Sequence, residues 1–586
     1  MKTANLGEYN LYLFHHGTNY RAYEMLGAHF VERAGKQGVR FAVWAPHAGK
    51  VSVVGDFNDW DERVHQMNRL EDGETWEIFI EGLAVGDNYK YAIDGKLKAD
   101  PYAFRAEQNP DAASQLCDLT DYAWHDGAWQ ESKKRHSSYT RPMLIYEVHA
   151  ASWREGLNCR ELAEELIAYV KDMHYTHIEL MPSNEPYYAV ASRCGTPDDL
   201  RHLIDTAHQN GIGVIMDWAC GSFGDAAHGL REFDGTKLYE ADTVADNGTL
   251  NFDYARNEVQ SFLISNALFR FEEFHIDALR IDGVANMLYL NFDGEWSNLE
   301  AVEFLKKLNE TVFKHHPQAL MMAEESTSLP LISKPIHMGG MGFNYKWNMG
   351  WQTDMLDYVS LDPIYRKWNH DKITFSLMYA FTENFILPLS HNVKSLLAKM
   401  PGDHWQKFAG LRCFLGYWMA HPGKKLLFMG NEFGQPVEWH ENSPLDWQAI
   451  DRDEKHAQLQ NYSRALNKFY LDNKSLWQVD FDWNGFQWID CNDNENSVVS
   501  FIRKAQDSDD CVIVVCNFTP NVRAGYRIGV PVGGRYVEVF NSDAKEFGGS
   551  GVTNPPVTAQ DIPWHNRNHS IALTIPPLAT MFLKAQ

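Results

Sequence analysis

From Met143 onward, short apolar runs alternate with stretches of helical period, which restricts the middle of the chain to a parallel sheet wrapped by helices. Leu144-Ile-Tyr-Glu-Val-His149, His177-Ile-Glu-Leu-Met181 and Gly213-Val-Ile-Met-Asp217 read as strands, with helices over Arg160 to Lys171 and Asp198 to Gln209 between them. Ala278 to Asp282, Ala319 to Ala323, Gly342-Phe-Asn344, Phe385-Ile-Leu-Pro-Leu389 and Lys425-Leu-Leu-Phe-Met429 continue the series. The repeat predicts an α/β fold, a closed (β/α)8 TIM barrel enlarged by insertions beyond the typical ~250 residues. In such barrels the active site is built at the C-terminal ends of the strands, and Asp217, Asp282, Glu324 and Asn392 all fall there.

The flanks carry a different period. Val39-Arg-Phe-Ala-Val-Trp44, Val51-Ser-Val-Val54, Trp76-Glu-Ile-Phe-Ile80 and Tyr89-Lys-Tyr-Ala-Ile93 are short strands separated by turn chemistry such as Gly55-Asp-Phe-Asn-Asp-Trp60. After about residue 475, strands such as Cys511-Val-Ile-Val-Val-Cys516 and Ser570-Ile-Ala-Leu-Thr574 return without helices between them. The expected organisation is an N-terminal segment (1–20), a β-sandwich (21–120), a linker (121–140) holding the polar run Glu131-Ser-Lys-Lys-Arg-His-Ser-Ser138, the barrel (141–470) and a C-terminal β-sandwich (471–586).

Composition narrows the partners. The formal net charge of −25 repels nucleic-acid phosphates and anionic membranes and suits a neutral ligand such as a sugar polymer. Met1 to Gly17 has no apolar signal core and no run is long enough to span a bilayer, so the expected setting is cytoplasmic. The eight cysteines form no CxxC pairs and are expected to be reduced, mostly buried thiols. His15-His16 and His315-His316 lack acids at metal spacing and are expected to be solvated, so no metal is assigned. No phosphate-binding glycine loop or Ser-His-Asp order is present, and no cofactor is expected. Oligomeric state leaves no mark in the sequence.

The chemistry concentrates in His275-Ile-Asp-Ala-Leu-Arg-Ile-Asp282 and Met322-Ala-Glu-Glu-Ser326. Alternation along a strand sends Arg280 and Asp282 to one face, and Glu324 ends a neighbouring apolar run. A carboxylate beside a fixed guanidinium, facing a second carboxyl group kept protonated by apolar neighbours such as Met321, Met322 and Ala323, is what a retaining glycosidase needs. The competing reading of Arg-x-Asp on a strand is a buried ion pair that only fixes register.

These stretches, with Val214-Ile-Met-Asp-Trp218, Glu232-Phe-Asp-Gly-Thr236, Ala323-Glu-Glu-Ser-Thr327, Lys346-Trp-Asn348 and Lys424-Lys-Leu-Leu-Phe-Met-Gly-Asn-Glu-Phe433, resemble the glycogen (1,4-α-glucan) branching enzymes of the α-amylase superfamily, glycoside hydrolase family 13, over nearly the whole chain. The resemblance implies cleavage of an α-1,4-glucan through a covalent glycosyl-enzyme and transfer of the cut segment to a 6-hydroxyl, making an α-1,6 branch. By motif position it makes Asp282 the nucleophile, Glu324 the acid/base and Arg280 the group that orients Asp282, with Asp217 and His391 supporting the subsite. In the front sandwich it points to Trp60 and Lys90 as glucose contacts, against the plainer reading of Trp60 as a turn aromatic packed on its own sheet.

The chain departs from the family pattern around one subsite. Asn392 stands where the family has an acid, in Leu389-Ser-His391-Asn392-Val393, and the loop that follows is shorter. Ser222 replaces a histidine after Asp217, and the aromatic segment after the second strand is reduced to Asn184-Glu-Pro-Tyr-Tyr-Ala-Val-Ala-Ser-Arg193. A neutral amide cannot stabilise a cationic transition state as a carboxylate does, and losing one such group costs about 10²–10³ in rate. The sequence therefore leaves two functions standing: a divergent branching enzyme with weak or lost turnover, and a non-catalytic α-glucan-binding or regulatory protein on the same fold.

Overall fold

The computed structural model describes all residues except 1–5, 108–112, 182–186, 191–193, 245–247, 290–297 and 328. Eight strands close into a barrel: β1 (Leu144–Val148), β2 (His177–Leu180), β3 (Gly213–Trp218), β4 (Ala278–Ile281), β5 (Leu320–Ala323), β6 (Tyr345–Trp347), β7 (Phe385–Leu389) and β8 (Lys424–Phe428). Each pairs in parallel with its neighbours, β8 returning to β1. The sixth strand differs from expectation: Gly342, Phe343 and Asn344 precede it, and the three residues Tyr345–Trp347 form it. So short a strand leaves too few residues for a period to register.

The register explains where the chemistry goes. Ile145, Ile215, Ala278, Met322, Tyr345, Ile386 and Leu426 form an apolar layer inside the barrel. Two residues further along four of these strands, on the same face, stand Glu147, Asp217, Arg280 and Glu324. Glu179 pairs with Glu147 on one side and Ile215 on the other, so it too faces inward. A hydrophobic plug thus supports a polar layer at the C-terminal mouth.

The helices are stopped and started locally. Cys159–Asp172 begins with a capping box in which Asn158 and Glu161 satisfy each other's backbone amides, and Pro197–Gln209 with the same device between Thr196 and Asp199. The segment read as a linker contains a helix, Gly127–Lys134, which packs under the barrel: Trp129 and Lys133 both donate to Asp277 Oδ1, at 2.9 and 2.7 Å.

In front, one sheet runs Gly27–Arg33, Lys36–Trp44, Thr75–Glu81, Asn68–Arg69 and faces a second built on Val51–Gly55 and Asn88–Ile93. Behind, a six-stranded sheet and the pair Arg523–Val530 with His569–Ile575 enclose a core of Ile502, Ile513, Val515, Ile571 and Leu583. The barrel docks on this rear domain through helix His404–Ala420, where a Cβ on Gly416 would lie 2.7 Å from the Thr580 side chain, so only glycine allows the approach. Beneath the barrel, Lys424 Nζ and Arg503 Nη2 hold Asp480 at 3.0 and 2.8 Å, all three side chains fully buried.

Two expectations are corrected by packing at long range. Cys159 and Cys194, 35 residues apart, are joined as a disulfide, their Cα atoms 4.6 Å apart, a contact between distant segments whose spacing gave no signal. His15 is not solvated: Nδ1 lies 2.9 Å from Glu258 and 3.5 Å from Glu74, and Nε2 3.3 Å from Asp72. These acids come from the front sandwich and a barrel helix, which sequence neighbours could not reveal.

Candidate active site

One guanidinium organises the mouth of the barrel. Arg280 is buried at 1% exposure, with Trp347 4.1 Å from its guanidinium carbon to the ring centroid. Its Nη1 reaches Asp217 Oδ2 at 2.9 Å and Asp282 Oδ1 at 3.0 Å, while Nη2 donates to Glu324 Oε2 at 2.7 Å. The backbone amide of Gly283 adds a bond to the same Glu324 oxygen at 3.2 Å. Asp282 and Glu324 thus meet on the two terminal nitrogens of one guanidinium.

The environment splits the two carboxyls. Burial works against charge on Asp282, but Arg280 and the Glu324 hydroxyl hold its pKa below the ordinary aspartate value. For Glu324, burial wins over Arg280, and the neighbouring Asp282 charge raises its pKa further. The two carboxyls are thus displaced in opposite directions, Asp282 down and Glu324 up.

Behind them lies a second layer of acids, Glu147 and Glu179, to which sequence spacing assigned no role. Glu179 is fully buried, and its pKa is driven well above the ordinary value by burial, then by Asp217 and Glu147. The neighbouring Asp217 is itself raised to about 7 by burial despite Arg280. Glu147 accepts from the His391 backbone amide at 3.0 Å and meets His391 Nδ1 at 2.6 Å. Burial opposes a charge on that imidazole, yet the Glu147 contact raises its pKa overall. The available signal was a lone acid in the middle of each buried strand, Tyr146-Glu147-Val148 and Ile178-Glu179-Leu180.

Of the residues expected at the site, Asp217, Arg280, Asp282 and Glu324 meet directly and His391 joins through Glu147. Asn392 bonds elsewhere. It lies on the short turn His391–Val393, where its Nδ2 donates to Gln352 Oε1 at 3.2 Å and its Oδ1 accepts from Gln352 at 2.9 Å and from Ser390 at 2.8 Å. Ser222 begins a two-residue strand, and its carbonyl accepts from the Tyr187 hydroxyl at 3.1 Å. Most of the shortened segment after β2 lies outside the described residues. On the front sandwich Trp60 is 38% exposed, with Nε1 bonded to Asp56 at 3.1 Å, whereas Lys90 is buried beneath the sheet at 7%. Among the described residues His15, Glu74 and Glu258 are the one group close enough to hold a metal, and they lie between the front sandwich and the helix Asn257–Phe274. No helix among the described residues is long and apolar enough to cross a membrane.

A sandwich, a (β/α)8 barrel with an Arg-Asp-Glu mouth and a rear β domain define a protein of the α-amylase class. Residues 25–103 match the carbohydrate-binding module 48 (isoamylase N-terminal domain) family and 488–586 the α-amylase C-terminal all-β domain family. The fold is shared with a putative α-amylase from Salmonella typhimurium (TM-score 0.69, 15% identity, 94% of this chain and 99% of that one) and with pullulanase from Bacillus acidopullulyticus (TM-score 0.71, 16% identity, 95% and 74%). The 1,4-alpha-glucan branching enzyme GlgB of Halothermothrix orenii is 52% identical over 627 aligned positions, covering 100% of this chain and 99% of that protein, and that of Rubrobacter xylanophilus is 50% identical over 99% and 86%. The chain belongs to the 1,4-α-glucan branching enzyme family. The alignment with the first relative is longer than this chain's 586 residues, so segments of that relative have no counterpart here.

Proposed function

We propose that the protein binds α-1,4-glucan across the barrel mouth and acts on it as a slow branching enzyme. Asp282 attacks the anomeric carbon while Glu324 gives its proton to the leaving glycosidic oxygen; the glucosyl-Asp282 ester is then opened by a 6-hydroxyl whose proton passes to Glu324, restoring both groups. Arg280 keeps Asp282 ionised, and Asp217 keeps Arg280 in place. The carrying observation is the opposite displacement of two carboxyls on one guanidinium, low for Asp282 and high for Glu324. Asn392 brings no charge to the transition state, which sets the slow rate. The natural partner is cytoplasmic α-glucan or glycogen, with no nucleic acid or membrane involved.

Incubation with amylose, followed by counting α-1,6 linkages after debranching digestion, tests this. New linkages are expected from the unmodified chain and none from Glu324→Gln; equal yields from both would overturn the assignment. A second reading, a glucan-binding protein without turnover, is favoured by the closed amide pairing of Asn392 with Gln352. It predicts no linkages from either chain while both co-sediment with glycogen.

A further inference from the structure

Where the front sandwich meets the barrel, three segments distant in sequence bring one imidazole against three carboxylates. His15 closes the helix Glu8–His15, Asp72 and Glu74 lie on the turn between the strands Asn68–Arg69 and Thr75–Glu81, and Glu258 stands in the first turn of the helix Asn257–Phe274. Backbone contacts set the imidazole in place: Asn257 Nδ2 donates to the His15 carbonyl at 3.1 Å, and Ser261 Oγ to the Phe14 carbonyl at 3.0 Å. His15, Asp72 and Glu258 are mostly buried, and Glu74, with 43% of its side chain exposed, marks the open side.

The two ring nitrogens have different surroundings. Nε2 lies 3.3 Å from Asp72 Oδ2, and the other Asp72 oxygen accepts from the backbone amides of Glu74 and Thr75, each at 3.1 Å. This anchored carboxylate favours a proton on Nε2, which leaves the Nδ1 lone pair as a ligand. Nδ1 faces two further acceptors, Glu258 Oε1 at 2.9 Å and Glu74 Oε2 at 3.5 Å, and the second of these is steadied by the Trp44 indole N–H at 3.2 Å. All three ligand atoms lie within 4.8 Å of one another. Lone pairs that converge in this way repel one another unless a cation stands among them. A proton on Nδ1 points along one axis and serves one carboxylate, whereas a metal ion serves both. Tetrahedral zinc, with ligands about 2.0–2.2 Å away, spaces them roughly 3.3–3.6 Å apart, close to what Nδ1 already sees.

Charge points the same way. Among the described residues no lysine or arginine forms an ion pair with Asp72, Glu74 or Glu258, and the nearby Lys307 donates instead to the Gly17 carbonyl and Gln260. Three carboxylates against one imidazolium leave two negative charges at the junction, and a divalent ion in the proton's place leaves one. We propose that His15 Nδ1, Glu74 and Glu258 bind a zinc-class divalent ion, with Asp72 holding the imidazole from behind, and that the ion clips the N-terminal helix and the front sandwich to the barrel. One imidazole with two carboxylates suits Zn²⁺ or Co²⁺, whereas Ca²⁺ and Mg²⁺ take oxygen shells of higher coordination number. Binding exchanges the Nδ1 proton, which leaves to solvent, for the ion. None of the groups at the mouth takes part, so the proposal stands apart from the glucan reading.

The full chain, stripped with EDTA, is titrated calorimetrically with Zn²⁺, Co²⁺ and Ca²⁺ in separate runs, and the Co²⁺ run is also followed by its visible spectrum. The unmodified chain is expected to take up one Zn²⁺ or one Co²⁺, the latter with the visible band of a tetrahedral site. Glu258→Gln keeps the shape without the charge and is expected to abolish that event, while Asp72→Asn weakens it by about 10–100-fold, as loss of a carboxylate behind a ligating histidine does. Saturating Zn²⁺ should raise the thermal midpoint of the unmodified chain and leave that of Glu258→Gln unmoved. Should Glu258→Gln fail to fold, Glu74→Gln at the exposed side decides the matter. Equal zinc uptake by the unmodified chain and the folded ligand variants would place the ion elsewhere, on a free thiol for instance, and overturn the proposal. Absence of uptake at one equivalent, or preference for Ca²⁺ over Zn²⁺, would overturn it as well.

Discussion

The two ends of the barrel use buried charge in opposite ways. At the bottom, Asp480 lies between Lys424 and Arg503, and both its oxygens are bonded. At the mouth, one arginine serves Asp217, Asp282 and Glu324, while Glu179 Oε1 and Oε2 and Asp217 Oδ1 receive no ordinary donor. A network that only holds structure satisfies its members, because an unpaired buried charge is costly. The excess of acids at the mouth forces protons onto some of them, and a shared proton is what acid catalysis needs. The contrast separates structural from chemical use of charge in one fold.

That contrast can be broken most forcefully at the bottom. Asp480→Ala strands two buried cations and is expected to lower unfolding free energy by about 3–5 kcal/mol; urea denaturation measures it, and a loss below ~1 kcal/mol would mean the triad is not structural. Next in size is the pH response of the mouth. Asp217 titrates near pH 7 in the folded chain against 3.8 ordinarily, so between those values the folded state holds more protons and stability falls as pH rises, levelling off above about 7. Asp217→Asn is expected to flatten that part of the decline, and a variant with an unchanged slope between pH 4 and 7 would contradict it.

A smaller effect is expected at Asn392. Asn392→Asp adds a carboxylate at the position proposed to limit turnover, but its oxygens face Gln352 and Ser390, which would hold the new carboxylate where the amide now lies. The expected gain in branching is below about tenfold, or 1.4 kcal/mol of barrier; a larger gain in α-1,6 linkages per minute would show that the missing charge alone limits the protein. The smallest effect concerns His15. Burial opposes its charge, but Asp72, Glu258 and Glu74 raise its pKa to about 9, so its contribution is complete below about 6.5 and fades as pH rises through about 9. Its partial exposure screens the gain. His15→Gln should narrow the stability difference between pH 6 and 10 by an amount just resolvable in thermal unfolding.

The barrel was legible because seven of its strands are long enough for an apolar run to stand out, and Arg280, Asp282 and Glu324 because they crowd two strand ends. Tyr345–Trp347 was displaced by one short strand's length since three residues carry no period. Glu147 and Glu179 looked like ordinary strand residues; only closure of the sheet turns them toward one another. Gln352 sits on the helix Met349–Ser360, forty residues before Asn392, and nothing in the sequence couples them. The cysteine pair and the His15 cluster escaped for the same reason, being contacts between distant segments.

The disulfide between Cys159 and Cys194 has a consequence for the unfolded chain. It closes a loop 35 residues around β2, the strand that carries Glu179, and a closure of that span removes roughly 3–4 kcal/mol of denatured-state freedom in the chain-entropy description. The strand holding the most awkward carboxyl in the barrel is thereby the one segment whose escape is curtailed by a covalent bond. In a reducing medium that restraint vanishes, and the cost of burying Glu179 falls on packing alone.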